Sequence, residues 1–201
     1  LTYMKVIKLI INVTFTFLLI NLVNAKEIKM GKADWDTGYF QAEVYKKALE
    51  KMGYKVLGPT AMKPQVFYIA AAAGDMDLWV NGWFGNHDSY ISEAKGKVKP
   101  VGYVAKNGGL QGYLIDKKTA DKFNIKSIMD IKKHAKEFDA NGDGKADMVA
   151  CHPGWGCEKI ISKHFNELGL GDFINPIKAD YSAAMADIIS RYKNGKAILF
   201  Y

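Results

Sequence analysis

From residue 26 onward the chain alternates short apolar runs of strand period with longer stretches of helical period. Glu27 to Met30 reads as a first strand. Thr37 stands where a helix cap belongs. A helix from there to about Met52 carries Phe40, Val44, Ala48 and Met52 on one stripe, with Gly53 at its C′ position. Tyr54 to Leu57 reads as a second strand. Pro64 suits the first residue of a helix ending near Gly74, and Leu78 to Asn81 reads as a third strand. The order βαβαβ predicts a mainly parallel sheet with helices on its faces.

Near Lys106 to Gly109 the pattern restarts. Gly112 to Ile115 reads as a strand, Thr119 to Phe123 as a short helix, and Ser127 caps a longer helix to about Phe138. A polar, glycine-rich loop leads into a strand at Met148 to Ala150. Helices are predicted from Trp155 to Leu168 and from Tyr181 to Lys193, the second stopped by Asn194-Gly195. Ala197 to Tyr201 is an apolar run that reads as a buried strand. The expected organisation is a first lobe over residues 26–107 and a second over 108–201, with a cleft between them. In open α/β sheets ligands bind outside the carboxyl ends of the strands.

Residues 1–25 read differently. Lys5 and Lys8 form a short positive region, Leu9 to Val23 an apolar one, and Val23-Asn24-Ala25 a small-x-small cleavage site. This is the pattern of a secretory signal peptide. Its apolar stretch is shorter than the ~20 residues a spanning helix needs. Leu1 to Tyr3 precede the first methionine, and no cysteine follows the cleavage site. The expectation is an exported periplasmic protein without a lipid anchor.

Charge narrows the function classes. The 201 residues carry a net charge of +7, from 28 basic and 21 acidic side chains. Arg191 is the only arginine, whereas nucleic-acid readers lean on arginine's planar fork. The excess is spread evenly over both predicted lobes, with no basic stripe, so no nucleic-acid partner is expected. In an oxidising compartment Cys151 and Cys157 suggest a disulfide, and two free buried thiols are the alternative. A bond between them would stabilise by about 2 kcal/mol in the chain-entropy model.

Three segments fall at carboxyl strand ends. In Cys151-His152-Pro153-Gly154-Trp155-Gly156-Cys157-Glu158 a strand turns into a helix. The first helical amides, at Gly156 and Cys157, have no intrahelical partner and suit an anion. Trp155 projects from the same loop. In Trp79 to Asp88, Trp79 reads as core, Trp83 as facing the cleft, and His87 follows four residues later. Trp35, after the first strand, either joins the cleft or caps the following helix. Tryptophan faces attract a desolvated cation. Such faces beside a helix N-terminus and a histidine make a bipolar site, which a compact betaine zwitterion fits at both ends. Asp139, Asn141, Asp143 and Asp147 occupy calcium-loop positions 1, 3, 5 and 9, with Gly144 at 6, but Ala150 stands where the bidentate glutamate belongs. A weak calcium-loop candidate remains beside a plain turn built by Asx and glycine residues.

At these residues the sequence resembles the glycine betaine/proline betaine substrate-binding proteins of osmoprotectant ABC transporters. The match is most specific from Phe138 to Glu158, and extends to Gln111–Asp121 and Asp187–Lys193. The resemblance implies an α/β, type II periplasmic-binding fold whose two lobes, with mainly parallel sheets, close on the ligand. It implies Trp83 and Trp155 in an aromatic box around the quaternary ammonium, with Gly156, Cys157 and His87 at the carboxylate. Trp35 is a possible further member. Two departures stand out. Gly85 replaces a proline in the segment Trp83 to His87, and family members continue past the strand ending at Tyr201 into a Trp-rich segment. The latter implies an amino-terminal part of such a protein.

The expected function is binding of betaine-like zwitterions by a monomer that serves an ABC transporter permease and ATPase, with no cofactor and no catalysis. The alternative is a binder of another small cation, such as choline or a polyamine. A secreted enzyme using Cys157 and His152, or a zinc site from Cys151, Cys157, His87 and His164, ranks behind both. No G-x-S-x-G, Walker or H-E-x-x-H motif is present.

Overall fold

The computed structural model describes residues 26–201, so the signal-peptide expectation lies outside the described residues. Two sheets form, one from each half. The first has strand order β2-β1-β3, built from β1 (Glu27–Ala33), β2 (Lys55–Met62) and β3 (Leu78–Trp79), all parallel. Helices α1 (Asp36–Lys51) and α2 (Pro64–Ala73) make the crossovers, and α3 (Asp88–Glu93) follows β3. The second sheet has order β4-β7-β5-β6. In it β5 (Ala146–Val149) runs parallel to β6 (Ile174–Ile177) and to β7 (Leu199–Phe200), and β4 (Leu114–Ile115) lies antiparallel to β7. Its helices are α4 (Lys117–Phe123), α5 (Ile131–Phe138), α6 (Gly156–Leu168) and α7 (Tyr181–Lys193).

The larger core lies in the second half. Ile131, Phe138, Met148, Leu170, Ile174 and Leu199 are fully buried there. In the first half Met30, Ala42, Val56 and Val80 pack on one face of the sheet, and Phe67, Tyr68 and Tyr90 form a second cluster. No helix among the described residues is long and apolar enough to cross a membrane.

Several expected elements differ in detail. The stripe Phe40, Val44, Ala48 and Met52 does not face the core, and Phe40 is 72% exposed. The buried residues of α1 are Gly38 and Ala42. A Cβ on Gly38 would stand 2.4 Å from that of Ala33, so small residues let α1 lie close on β1. The helix expected from Ser127 to Phe138 is a 3-10 turn (Ile128–Asp130) followed by α5, which is broken at His134. Strand β6 was absent from the sequence pattern. It contains Pro176, which an edge strand tolerates because its outer amides need no partner.

Candidate functional site

Every candidate side chain outside the acidic loop hangs from a carboxyl strand end or from the helix that follows. The loop after β1 carries Asp34 and Trp35, and Trp35 is the N-cap residue of α1. The turn after β5 carries His152 and Trp155, and Trp155 is the N-cap residue of α6. A disulfide joins Cys151 to Cys157 across this turn, with a Cα–Cα distance of 5.9 Å. It pins the last residues of the strand to the first turn of the helix. Gly154 adopts φ +89°, and its amide donates to Glu158 Oε2 at 2.8 Å. That bond and Lys178 hold the Glu158 carboxyl below its ordinary range.

The two loops meet. The Trp155 indole N–H donates to Asp34 Oδ1 at 2.8 Å, across 121 residues of sequence. The rings of Trp35 and Trp155 pack edge to face at 5.0 Å. Tyr181, which opens α7, adds a third ring 5.4 Å from Trp155, and His152 stacks on Trp155 at 5.5 Å. Trp79 lies behind Trp35 at 6.5 Å and packs on Phe67 at 4.8 Å, as expected of a core residue. The aromatic cluster is therefore Trp35, Trp155 and Tyr181, flanked by the Asp34 carboxylate.

Trp83 is not part of that ring cluster. Its indole N–H donates to Asn81 Oδ1 at 2.9 Å. A Cβ on Gly109 would sit 3.0 Å from its ring, so Trp83 packs against the segment that leads into the second half. Among the described residues its ring forms no aromatic pair, although its backbone reaches the site through His87.

His87 is 2% exposed. Its Nδ1 faces the Trp83 amide and the Tyr68 hydroxyl, each at 3.3 Å. The ring's other edge faces α6. A Cβ on Gly156 would meet the Asn86 carbonyl oxygen at 2.5 Å and His87 Cδ2 at 3.0 Å. Only a glycine lets the helix come this close. The structure thus brings His87, Gly156 and Cys157 together. Helix geometry leaves the Gly156 and Cys157 amides open at the positive end of the dipole. Burial pushes the His87 imidazole down to about 4, against the opposing pull of Asp88. A neutral imidazole N–H and two helix amides suit a carboxylate.

Beside this site Lys159 of α6 reaches Glu93 Oε1 at 3.0 Å and Ser89 Oγ at 3.2 Å, and its ammonium lies 4.2 Å over the Tyr90 ring. It joins α6 to α3.

The acidic loop after α5 is closed on itself. Asp139 accepts from the amides of Asn141, Gly142 and Gly144, Asn141 from Asp143, Asp143 from Lys145, and Asp147 from Ala140. These amides hold the carboxyls of Asp139 and Asp143 below their ordinary range. The geometry is that of successive Asx turns. No group of three or more His, Cys, Asp or Glu side chains poised for a metal occurs among the described residues.

Asp34, Tyr68 and Tyr181 were not singled out in the sequence, and His152 only as an enzyme candidate with Cys157. Asp34 adjoins Trp35 and shared its loop signal. Tyr181 and Tyr68 carried none, because each lies far along the chain from the residue it supports.

Two mainly parallel βα layers with ring-bearing loops facing each other define an α/β fold of the type II periplasmic-binding kind. A structure of the glycine betaine, L-proline ABC transporter binding protein ProX from Borrelia burgdorferi shares this fold. It has a TM-score of 0.67 and 21% identity, and the match covers 87% of this chain and 62% of that one. Residues 26–201 match the family described as the substrate binding domain of ABC-type glycine betaine transport system, and the chain belongs to that family. The chain is 43% identical over 165 residues to the glycine betaine-binding periplasmic protein OusX of Dickeya dadantii. It is 44% identical over 165 residues to the glycine betaine/proline betaine-binding periplasmic protein of Escherichia coli. Each alignment covers 81% of this chain and 50% of the relative, so the chain spans about half the length of these curated relatives.

Proposed function

We propose that this chain binds glycine betaine-like quaternary ammonium zwitterions in the periplasm and presents them to the permease and ATPase of an ABC transporter, as an osmoprotectant-binding protein without catalytic activity. The observation that carries the reading is the meeting of two unlike half-sites. The edge-to-face rings of Trp35 and Trp155 suit a cation, and the α6 N-terminus with His87 suits a carboxylate. A molecule with both groups at a short fixed separation uses both.

In this reading Trp35 and Trp155 serve the ammonium end, and His87, Gly156 and Cys157 the carboxylate end, with Trp83 acting through its backbone amide on His87. The two ends are carried by lobes of residues 26–107 and 108–201 that close on the ligand as a monomer. Export by residues 1–25 without a lipid anchor completes the reading.

The Asp34 carboxylate beside the rings favours a second reading, a lone cation such as choline or a polyamine. Tryptophan fluorescence titrated with glycine betaine, proline betaine and choline separates the two. Betaines are expected to saturate the signal at lower concentration. Choline binding as tightly as the betaines would reject the zwitterion reading.

A further inference from the structure

We propose that Tyr68 is a positioning residue: together with the Trp83 amide it holds His87 as the neutral tautomer with its proton on Nε2, turned toward the α6 N-terminus. The inference deepens the betaine-binding reading and rests on it only for the identity of the anion.

Two donors converge on one nitrogen. The Trp83 N–H reaches His87 Nδ1 at 3.3 Å, and a backbone amide can only donate. Nδ1 must therefore carry a lone pair, and the imidazole proton sits on Nε2. The Tyr68 hydroxyl, also 3.3 Å from Nδ1, then donates as well. A proton on Nδ1 would oppose the amide directly. The opposite edge is the one against which Gly156 packs: His87 Cδ2, bonded to Nε2, is the ring atom nearest a Gly156 Cβ. The arrangement therefore aims an N–H, not a lone pair, at the place where the open amides of α6 gather.

Tyr68 is built for this role. It is 6% exposed and comes from α2, outside the loop that carries His87. Its ring stacks on Tyr90 at 5.8 Å and meets Phe67 at 5.6 Å. Burial holds its hydroxyl protonated, pushed up to about 12, so it remains a donor at any physiological pH.

Other charges near His87 leave it neutral. From its own turn Asp88 favours protonation, but Asp88 Oδ1 already accepts the Gly85 amide. Tyr90, on α3, is uncharged at neutral pH. From α6, Glu158 is engaged with Gly154 and Lys178, and Lys159 with Glu93. The positive end of the α6 dipole opposes an imidazolium. A carboxylate held this way is gripped by neutral donors, so its affinity does not follow the imidazole between about pH 5 and 8, the range in which an ordinary histidine titrates.

The test is long-range proton–nitrogen NMR of the histidine side chains in the full chain, with His87 assigned by its loss in His87→Gln. The expected spectrum has Nδ1 unprotonated and Nε2 protonated from pH 8 to 5. Tyr68→Phe keeps the ring packing and removes only the hydroxyl. It should shift the Nδ1 resonance, move protonation of His87 to higher pH, and weaken glycine betaine binding at pH 7.5 by about 3- to 10-fold, the worth of one hydrogen bond. Affinity in this variant should vary with pH below 6, whereas that of the unmodified protein stays flat. A proton on Nδ1, a His87 titration near 6.5 in the unmodified protein, or a Tyr68→Phe spectrum with unchanged His87 nitrogens would each overturn the inference. The nitrogen readings need no ligand. An Nε2–H tautomer that responds to Tyr68→Phe in a protein that ignores betaine would uphold the positioning and reject the betaine reading.

Discussion

Replacing Gly156 by alanine tests whether His87 and the α6 N-terminus must touch. The added methyl would lie 2.5 Å from the Asn86 carbonyl oxygen, 2.9 Å from its carbon and 3.0 Å from His87 Cδ2. Non-bonded heavy atoms settle at about 3.5–4.0 Å, so the α6 N-terminus must retreat from the His87 turn by about 1 Å. Both neighbours are buried or backbone, and neither can swing aside. A hydrogen bond of ordinary length that opens by that amount is lost. A carboxylate could then be held by the helix amides or by His87, but not by both. A hydrogen bond to a charged group contributes about 1.5–3 kcal/mol, so the dissociation constant for glycine betaine should rise about 10- to 100-fold. The melting temperature should move little, because the clash is relieved by parting two loops and alanine is well suited to a helix start. Calorimetric titration and a thermal melt followed by circular dichroism measure the two effects. Gly112→Ala is the control, since a methyl there meets nothing within 4 Å. Affinity in Gly156→Ala equal to that of Gly112→Ala would refute the claim that this contact shapes the site.

Trp155→Ala should cost more affinity than Trp79→Ala, up to about 2 kcal/mol for one desolvated cation–π contact. Trp79→Ala should instead lower the melting temperature, and equal affinity losses would reject the assignment. Intact mass without reduction should show the protein two hydrogens lighter than its dithiol form, and Cys151→Ser with Cys157→Ser should cost about 2 kcal/mol of stability in denaturant titration. Because the His87 imidazole is depressed to about 4, the folded protein binds a proton less readily than the unfolded chain. That part of the stability is fully present above about pH 6.5 and falls as pH drops toward 4. His87→Gln should flatten the decline between pH 6.5 and 5, and an unchanged slope would show that the ring is not buried neutral.

Much of this molecule was legible before its shape was known. The βα alternation, the turn from β5 into α6 and the disulfide all depend on neighbours within about ten residues. The apolar stripe of α1 is not its buried face. There the buried positions are Gly38 and Ala42, chosen for closeness to Ala33 rather than for area. β6 was hidden by Asn175 and Pro176, which suit the outside of a sheet and not its middle. Pairings across the chain carried no local signal at all. Nothing in the loop around Trp35 points to Trp155, and Tyr68 shows no tie to His87 until α2 and the His87 turn are packed together.

The attachments of α6 to the first half divide into two kinds, of which only one responds to ionic strength. Lys159 holds Glu93 with side chains 45% and 63% exposed, so dissolved salt weakens the pair as the screening length shrinks from about 8 Å at physiological salt to about 3 Å at 1 M. The Trp35–Trp155 contact and the fit of Gly156 against Asn86 carry no net charge and feel no such screening. As the medium becomes more saline, the grip between the halves shifts from the rim to the ring-lined interior. In the proposed osmoprotectant role the charged fastening fades as salinity rises, while the surfaces proposed to meet the ligand keep their strength.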